Sequence, residues 1–128
     1  MLEMGKILLV EDDVMVVKMY TTKLTMEGFT LTSAGNGEEG LAALEKEQPD
    51  IVLLDIMMPK MNGLEMLRNV RADDKFKDIP VVMLTNLGDR EEDVEKCKEL
   101  GAQDYWIKAN LSLNDLSEKI KNILDQKK

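Results

Sequence analysis

The 128-residue chain contains no histidine and a single cysteine, Cys97, and each shortage removes a class of chemistry. Without histidine there is no Ser-His-Asp or Cys-His nucleophile system and no histidine-bearing zinc site. One cysteine cannot close an internal disulfide, which fits a reducing compartment. No apolar run approaches the ~20 residues of a membrane span, and the first residues have no signal-peptide core. We therefore expect a cytoplasmic domain that does not contact a membrane.

Basic residues are also few, because 17 Lys and Arg stand against 25 Asp and Glu and give a net charge of −8. Direct nucleic-acid binding depends on Lys and Arg neutralising phosphates, so this balance argues against it. A chain of this length buries enough surface to fold without a disulfide or metal. We expect a single domain over 1–128, with its core at about 6–124 and no room for a DNA-binding output.

Short apolar runs alternate with amphipathic segments along the whole chain. Runs such as Ile51–Leu54 and Val81–Leu84 lack polar alternation, as expected of strands covered on both faces. Strands that alternate with helices indicate βαβ units and right-handed crossovers. The pattern predicts a three-layer α/β/α sandwich. The predicted strands are Lys6–Val10, Thr30–Ala34, Ile51–Leu54, Val81–Leu84 and Tyr105–Ile107.

Apolar residues at helical spacing predict a helix after each strand. The predicted helices are about Val14–Glu27, a segment starting at the capping residue Asn36, a segment through Leu64–Val70, Asp89–Leu100 and Ser112–Asp125. The fourth carries only a thin apolar stripe, which suits either an element that moves or an ordinary solvated helix. The ten methionines are interpreted as flexible core filler.

Chemically active side chains follow four of the five predicted strands. They are Glu11, Asp12 and Asp13 after the first, Asp55 after the third, Thr85 after the fourth and Lys108 after the fifth. Parallel sheets bind ligands outside the carboxyl ends of their strands, so these groups are expected to converge. Asp13 is expected to cap the first helix instead. The agreement of four strands indicates a functional site.

Carboxylates at such a site would repel one another unless a cation lay among them. Oxygen ligands suit a hard divalent ion, so Glu11, Asp12 and Asp55 point to Mg²⁺. An ionised aspartate attacks phosphorus without a general base, and Lys108 and Thr85 could hold phosphoryl oxygens. The residues therefore indicate aspartyl-phosphate chemistry.

Much of the chain, from about Lys6 to Leu124, resembles the receiver domain of two-component response regulators, of the single-domain kind found in chemotaxis. The resemblance rests on Val10–Asp13, Leu53–Gly63, Leu84–Thr85, Gly101–Ala102, Tyr105 and Lys108. The block Leu53–Gly63 (LLDIMMPKMNG) is the most specific of these. The resemblance implies a flavodoxin-like fold, with a five-stranded parallel sheet in the order 2-1-3-4-5 and five helices.

The same resemblance implies a signalling switch that phosphorylation activates. Asp55 would accept a phosphoryl group from the phosphohistidine of a sensor histidine kinase or phosphotransfer protein. Asp12, Asp55 and the backbone carbonyl of Met57 would hold Mg²⁺, and Glu11 would hold a metal-bound water. The chain is then not a conventional enzyme, although it would catalyse its own Mg²⁺-dependent phosphorylation and slow self-dephosphorylation.

The resemblance also assigns the response to phosphorylation. Lys108 would pair with the phosphoryl group, and Thr85 would hydrogen-bond it. Tyr105 would swing inward as Thr85 moves. The face formed by the fourth helix, the fifth strand and the fifth helix would then change and meet a downstream protein. That partner would be another chain, or a part of the protein outside this sequence.

Four positions are either variable in the family or depart from its pattern. Met57 and Leu87 occupy the two positions that tune self-dephosphorylation, and both are apolar, so neither can position an attacking water by hydrogen bonding. A long-lived phosphoryl state is expected. Asn86 replaces a very small residue and is expected to restrict access. Ala109 stands where the family has a proline after a cis bond, and the required position of Lys108 favours cis here.

Other functions of the fold fit the residues less well. A haloacid dehalogenase-type phosphatase would place a second aspartate two residues after the nucleophile, where Met57 stands. A flavin-binding protein would need phosphate-binding amides rather than the acidic Glu11–Asp13 in its first loop. The alternative that stays open is a receiver-like protein-interaction module that acts without phosphorylation.

Overall fold

The computed structural model of the protein describes residues 4–126, which form five parallel strands and five helices. The strands are β1 (Lys6–Val10), β2 (Thr30–Ala34), β3 (Ile51–Asp55), β4 (Val81–Thr85) and β5 (Asp104–Ile107). The helices are α1 (Val14–Met26), α2 (Gly37–Glu47), α3 (Gly63–Ala72), α4 (Glu91–Glu99) and α5 (Leu113–Gln126). The sheet order is β2-β1-β3-β4-β5, which confirms the predicted sandwich. The predicted limits at residues 1 and 128 lie outside the described residues.

Each face of the sheet carries its own apolar layer. Alternate residues of the buried strands point to opposite faces, so Val52 and Leu54 join the layer under α2, α3 and α4. Ile51 and Leu53 join the layer under α1 and α5. β3 and β4 are buried along their whole length, as their continuous apolar runs predict. The sheet thereby holds the carboxyl ends of its strands on a rigid frame.

Local sequence signals account for the helix ends. The carboxylate of Asp13 accepts a hydrogen bond from the Met15 N–H at 2.9 Å, which confirms it as the cap of α1. The Asn36 side chain accepts from the Glu39 N–H at 3.0 Å and caps α2. Gly28, just past α1, has a φ of 98°, which explains why a glycine follows that helix. Among the described residues, no helix is long and apolar enough to cross a membrane.

The prediction of a cis peptide bond before Ala109 is wrong, because residues 4–126 contain no cis peptide bond. Lys108 begins a single 3-10 turn over Lys108–Asn110, closed by a hydrogen bond from the Leu111 N–H to the Lys108 carbonyl at 3.2 Å. This turn redirects the chain toward α5 with trans geometry throughout. The Lys108 side chain still reaches the carboxyl edge of the sheet.

The interpretation of the methionines as core filler is also wrong for several of them. Met66 and Met83 are fully buried, but others are exposed, among them Met15, Met19, Met26 and Met57. Three of the exposed ones lie on one side of α1, where they line an apolar depression of about 390 Å³ with Leu113. A helix pattern shows which residues share a face, but not whether a neighbouring element covers that face.

Candidate functional site

The carboxyl ends of four strands bring the predicted residues together. Glu11 directly follows β1, while Asp55 and Thr85 are the last residues of β3 and β4. Lys108 directly follows β5. Glu11, Asp55 and Thr85 are each 2% exposed, so the polar groups lie inside the protein rather than on its surface. Asp12 is exposed at the mouth of the site.

The ammonium of Lys108 lies between two buried carboxylates. Its Nζ is 2.7 Å from Oε1 of Glu11 and 3.5 Å from Oδ1 of Asp55. The second oxygen of Glu11, Oε2, accepts a hydrogen bond from the Asp13 N–H at 3.1 Å. The lysine therefore neutralises part of the negative charge that the strand ends concentrate here.

Asp55 is the least satisfied group of the site. Its Oδ1 is buried and has no hydrogen-bond partner among the described residues. Burial, and then the negative charge of Glu11, raise the pKa of the Asp55 carboxyl to about 7, against the opposing charge of Lys108. A buried carboxylate oxygen without a hydrogen bond is costly, and the Lys108 ammonium at 3.5 Å offsets this cost only in part, so the site favours a further positive group beside Asp55.

Lys108 stays an ammonium despite its burial. Burial is the largest single influence and acts to lower the pKa of Lys108. The hydrogen bond to Glu11 and the charges of Asp55 and Glu11 outweigh burial, so the pKa is raised above its usual value. A permanent positive charge thus stands beside Asp55, where an incoming anion would need it.

Three carboxylates of the site fit a hard divalent cation. Glu11, Asp12 and Asp55 each offer one oxygen, and these oxygens lie within 4.8 Å of one another. The donors are oxygens alone, which suits Mg²⁺ or Mn²⁺ rather than a softer metal. The orphaned Oδ1 of Asp55 also lacks the partner that such an ion would provide. The residues present therefore fit the ion that the sequence predicts.

Thr85 is tied to the edge strand rather than to the carboxylates. Its Oγ1 donates to the backbone carbonyl of Trp106 at 3.4 Å. Tyr105, the neighbour of Trp106, is half-buried and packs against the layer under α2, α3 and α4. Its ring lies 4.8 Å from the Nζ of Lys98, which belongs to α4. Thr85 and Tyr105 thus connect the site to α4 and β5, while their roles in a switch stay predictions.

The residues expected to tune kinetics stand at the mouth of the site. Met57 is 57% exposed and Leu87 is 71% exposed. Asn86 is exposed as well, and its N–H donates to the Asp89 carboxylate at 2.7 Å, which shapes the loop before α4. All three lie on loops that directly follow Asp55 or Thr85. Their positions are compatible with control of solvent access.

Gly63 is a structural requirement of the site that was not assigned from the sequence. A Cβ atom at Gly63 would lie 2.1 Å from the backbone oxygen of Asp55, so no other residue fits without moving the backbone. The Gly63 N–H donates to the Ile56 carbonyl at 2.8 Å. This close approach fixes the loop that follows Asp55. The Asn62–Gly63 pair, a helix cap followed by glycine, is the signal that could have revealed it.

Tyr20 is the second group that was missed. It lies on α1 and is 4% exposed. Burial raises the pKa of the Tyr20 phenol, and the charges of Lys108, Glu11 and Asp55 also act on it. Tyr20 is therefore a buried residue of the layer under α1 and α5 that lies close enough to the site to sense its charges. A tyrosine among aliphatic residues on one helix face was the available signal.

The sequence of the chain is similar to a known protein family and to several of its members. The model of a family described as the response regulator receiver domain matches residues 7–121. The chain is 42% identical over 123 residues to the transcriptional regulatory protein CpxR homolog of Haemophilus influenzae, covering 94% of this chain and 51% of that protein. The chain spans about half the length of the curated relatives it matches.

Solved structures share the fold. A response regulator receiver domain protein (CheY-like) from Methanospirillum hungatei JF-1 superposes with a TM-score of 0.87 and 31% identity, covering 98% of this chain and 96% of that one. The Mn²⁺-bound form of response regulator Rcp1 superposes with a TM-score of 0.77 and 30% identity, covering 93% and 91%. The latter structure holds a divalent cation within the same fold.

Proposed function

Because the chain belongs to the response regulator receiver domain family, whose general function is phosphorylation signalling, we propose that Asp55 is its phosphoacceptor. The supporting observation is the buried Asp55 carboxylate, whose Oδ1 has no hydrogen-bond partner in the described residues and lies 3.5 Å from the Lys108 ammonium. The donor is the phosphohistidine of a sensor histidine kinase or phosphotransfer protein in the cytoplasm. The absence of histidine from this chain agrees with a donor on the partner.

The proposed transfer needs little from this chain beyond positioning and charge. An oxygen of Asp55 forms a bond to phosphorus while the P–N bond of the phosphohistidine breaks, and its electron pair stays on the imidazole nitrogen. Lys108 and Thr85 bind the phosphoryl oxygens. A buried ammonium stabilises this charge more than an exposed one, because the surrounding protein has a low effective dielectric constant.

Glu11, Asp12, Asp55 and the backbone carbonyl of Met57 are the groups that would hold Mg²⁺. When bound, the ion would supply positive charge beside the developing phosphoryl charge. The carboxylates of the chain orient it, and Gly63 keeps the loop after Asp55 close against α3. Mutual repulsion among the three carboxylates favours the ion over an empty cluster.

Phosphorylation is proposed to act on the face formed by α4, β5 and α5. A phosphoryl group adds up to two negative charges beside Lys108 and Thr85. Thr85 holds the Trp106 carbonyl at 3.4 Å, so movement of Thr85 toward the phosphoryl group would break this bond and free β5 to shift with Tyr105. The altered face would then meet a downstream protein.

The decisive experiment compares intact masses after incubation with a small phosphodonor and Mg²⁺. The native chain should gain the mass of one phosphoryl group, and Asp55→Asn should gain none, because the amide is not a nucleophile toward phosphorus. A receiver known to react with the donor serves as the positive control. An unchanged native mass beside a reactive control would defeat the proposal and favour an interaction module that acts without phosphorylation.

The lifetime of the phosphoryl group tests the roles of Met57, Leu87 and Asn86. The exposed apolar side chains of Met57 and Leu87 offer no hydrogen bond to an attacking water, so the acyl phosphate should persist. Met57→Asn should shorten its half-life at least severalfold. Met26→Asn is the matched control, since Met26 is 79% exposed at the far end of α1. Asn86→Ala should speed phosphorylation by widening access. A half-life unaffected by Met57→Asn would exclude the tuning role.

A further inference from the structure

Glu11 binds Lys108 more closely than the phosphoacceptor does. The Lys108 Nζ lies 2.7 Å from Glu11 Oε1, a charge-assisted hydrogen bond. The Glu11 side chain is 0% exposed and that of Lys108 is 13% exposed, so solvent screens this pair little. Glu11 is held at its other oxygen as well, by the Asp13 N–H at 3.1 Å. The lysine is thus fixed by an acceptor that is itself fixed.

Asp55 makes a longer and weaker contact with the same ammonium group. Its Oδ1 is 3.5 Å from Nζ, beyond ordinary hydrogen-bond length, and makes no hydrogen bond in the described residues. Lys108 could satisfy this orphaned oxygen by moving toward it, but doing so would stretch the shorter contact with Glu11. The carboxylates of Glu11 and Asp55 therefore compete for the ammonium group of Lys108.

We propose that Glu11 is a positioning residue that withholds Lys108 from Asp55 until the Glu11 carboxylate turns to a divalent cation. The lysine then becomes available to Asp55 and to the phosphoryl group that Asp55 accepts. The effect of this arrangement on phosphorylation rests on the proposed function, whereas the contacts among Glu11, Lys108 and Asp55 do not. Side-chain length matters, because an aspartate at position 11 would be shorter by one carbon–carbon bond, about 1.5 Å, and would lengthen and weaken the 2.7 Å contact with Lys108.

Double-mutant cycles without metal measure the two competing pairs. One cycle combines Lys108→Met with Glu11→Gln, and the other combines Lys108→Met with Asp55→Asn, with unfolding followed in urea and EDTA. The coupling between Lys108 and Glu11 should exceed that between Lys108 and Asp55 by at least about tenfold in the unfolding constant. An equal or larger coupling to Asp55 would overturn the proposal.

The ammonium signal of Lys108 in nitrogen–proton NMR spectra provides a readout in the unmutated chain, even where a variant fails to fold. In EDTA, Glu11→Gln should shift this signal more than Asp55→Asn does. Mg²⁺ should move the signal in the native chain. In Glu11→Asp the signal should be displaced before Mg²⁺ is added, and Mg²⁺ should then move it less. A Lys108 signal that ignores Mg²⁺ would contradict release of the lysine.

A matched ion pair distinguishes this effect from a general response to salt. Lys121 and Glu27 are 2.9 Å apart and lie away from the carboxyl edge of the sheet. The Lys121 ammonium should respond to Glu27→Gln but not to Mg²⁺, and an equal response of both lysines to Mg²⁺ would refute the proposal. None of these measurements uses a phosphodonor. A chain that never accepts a phosphoryl group can still show the Glu11 effect, so the two proposals fail separately.

Discussion

The two helices beside the edge strand β5 are attached to the sheet with very different strength. α5 buries Leu116 and Ile120 completely. α4 buries only Cys97, and its apolar neighbours Val94 and Leu100 are half-buried. A fully buried aliphatic side chain contributes roughly 1.5–3 kcal/mol relative to an exposed one. Apolar burial therefore favours α5 as the anchored helix and α4 as the weakly held one.

Polar contacts increase the difference. The Glu27 carboxylate at the end of α1 accepts hydrogen bonds from Ser117 Oγ and Lys121 Nζ, both at 2.9 Å, and so joins two helices. In α4, the Lys98–Glu95 ion pair of 3.5 Å lies within the helix itself. An element with few buried contacts opens at low free-energy cost. The comparison shows that α4 has fewer buried contacts than α5, so we expect the α4 side of the proposed signalling face to open more easily.

The largest expected effect is a difference in stability between matched leucine truncations. Leu116→Ala removes a fully buried side chain of α5 and should lower the free energy of unfolding by about 2–5 kcal/mol. Leu100→Ala, at the half-buried end of α4, should lower it by only about 1 kcal/mol. Urea unfolding followed by Trp106 fluorescence measures both. Equal losses would show that the two helices are held equally well.

Thiol labelling should show the same contrast in local opening. Burial, with the nearby charges of Asp93 and Asp89, raises the pKa of the Cys97 thiol to about 11, so the folded thiol stays protonated near neutral pH and reacts only when α4 opens. The matched probe is Ser117→Cys on α5 in a Cys97→Ser background. Cys97 should react at least about tenfold faster, which corresponds to about 1.4 kcal/mol less opening energy. Comparable labelling rates would contradict the comparison.

Phosphorylation should change the ratio between the labelling rates of Cys97 and of the α5 probe severalfold. If Thr85 transmits the signal, phosphorylation should change the Cys97 labelling rate and leave that of the α5 probe nearly constant. Thr85→Ala should still accept the phosphoryl group on Asp55 but lose the change at Cys97. Thr85→Ser, which keeps the hydroxyl, should retain it. A full response in Thr85→Ala would remove Thr85 from the proposed switch.

The smallest expected effect concerns the polar link between α1 and α5. Hydrogen bonds from Lys121 and Ser117 lower the pKa of Glu27 from its ordinary value of 4.5. A carboxyl with a lowered folded-state pKa stabilises the fold above its unfolded value, and this stabilisation is lost as pH falls through the folded-state pKa. Glu27→Gln should therefore slightly lower the melting temperature near neutral pH, and the difference should vanish in acid. Glu95→Gln in α4 is the control and should change little.

The sequence by itself determined the architecture and the composition of the site. Alternating apolar runs and amphipathic segments predicted the strands and helices, because burial on one or two faces leaves a local pattern. The position of Asp55 and Lys108 after their strands was enough to bring them to one edge, since parallel strands end together. The resemblance supplied the strand order and the proposed roles.

Only the tertiary structure decided which of these groups touch. Lys108 lies closer to Glu11 than to Asp55, the bond before Ala109 is trans, and the Asp55 carbonyl leaves no space for a Cβ at position 63. These features depend on how whole elements pack. The exposure of Met15 on α1 likewise depends on what its neighbours cover. Local patterns record whether a residue prefers burial, whereas differences in distance of less than about 1 Å arise from the packing of whole elements.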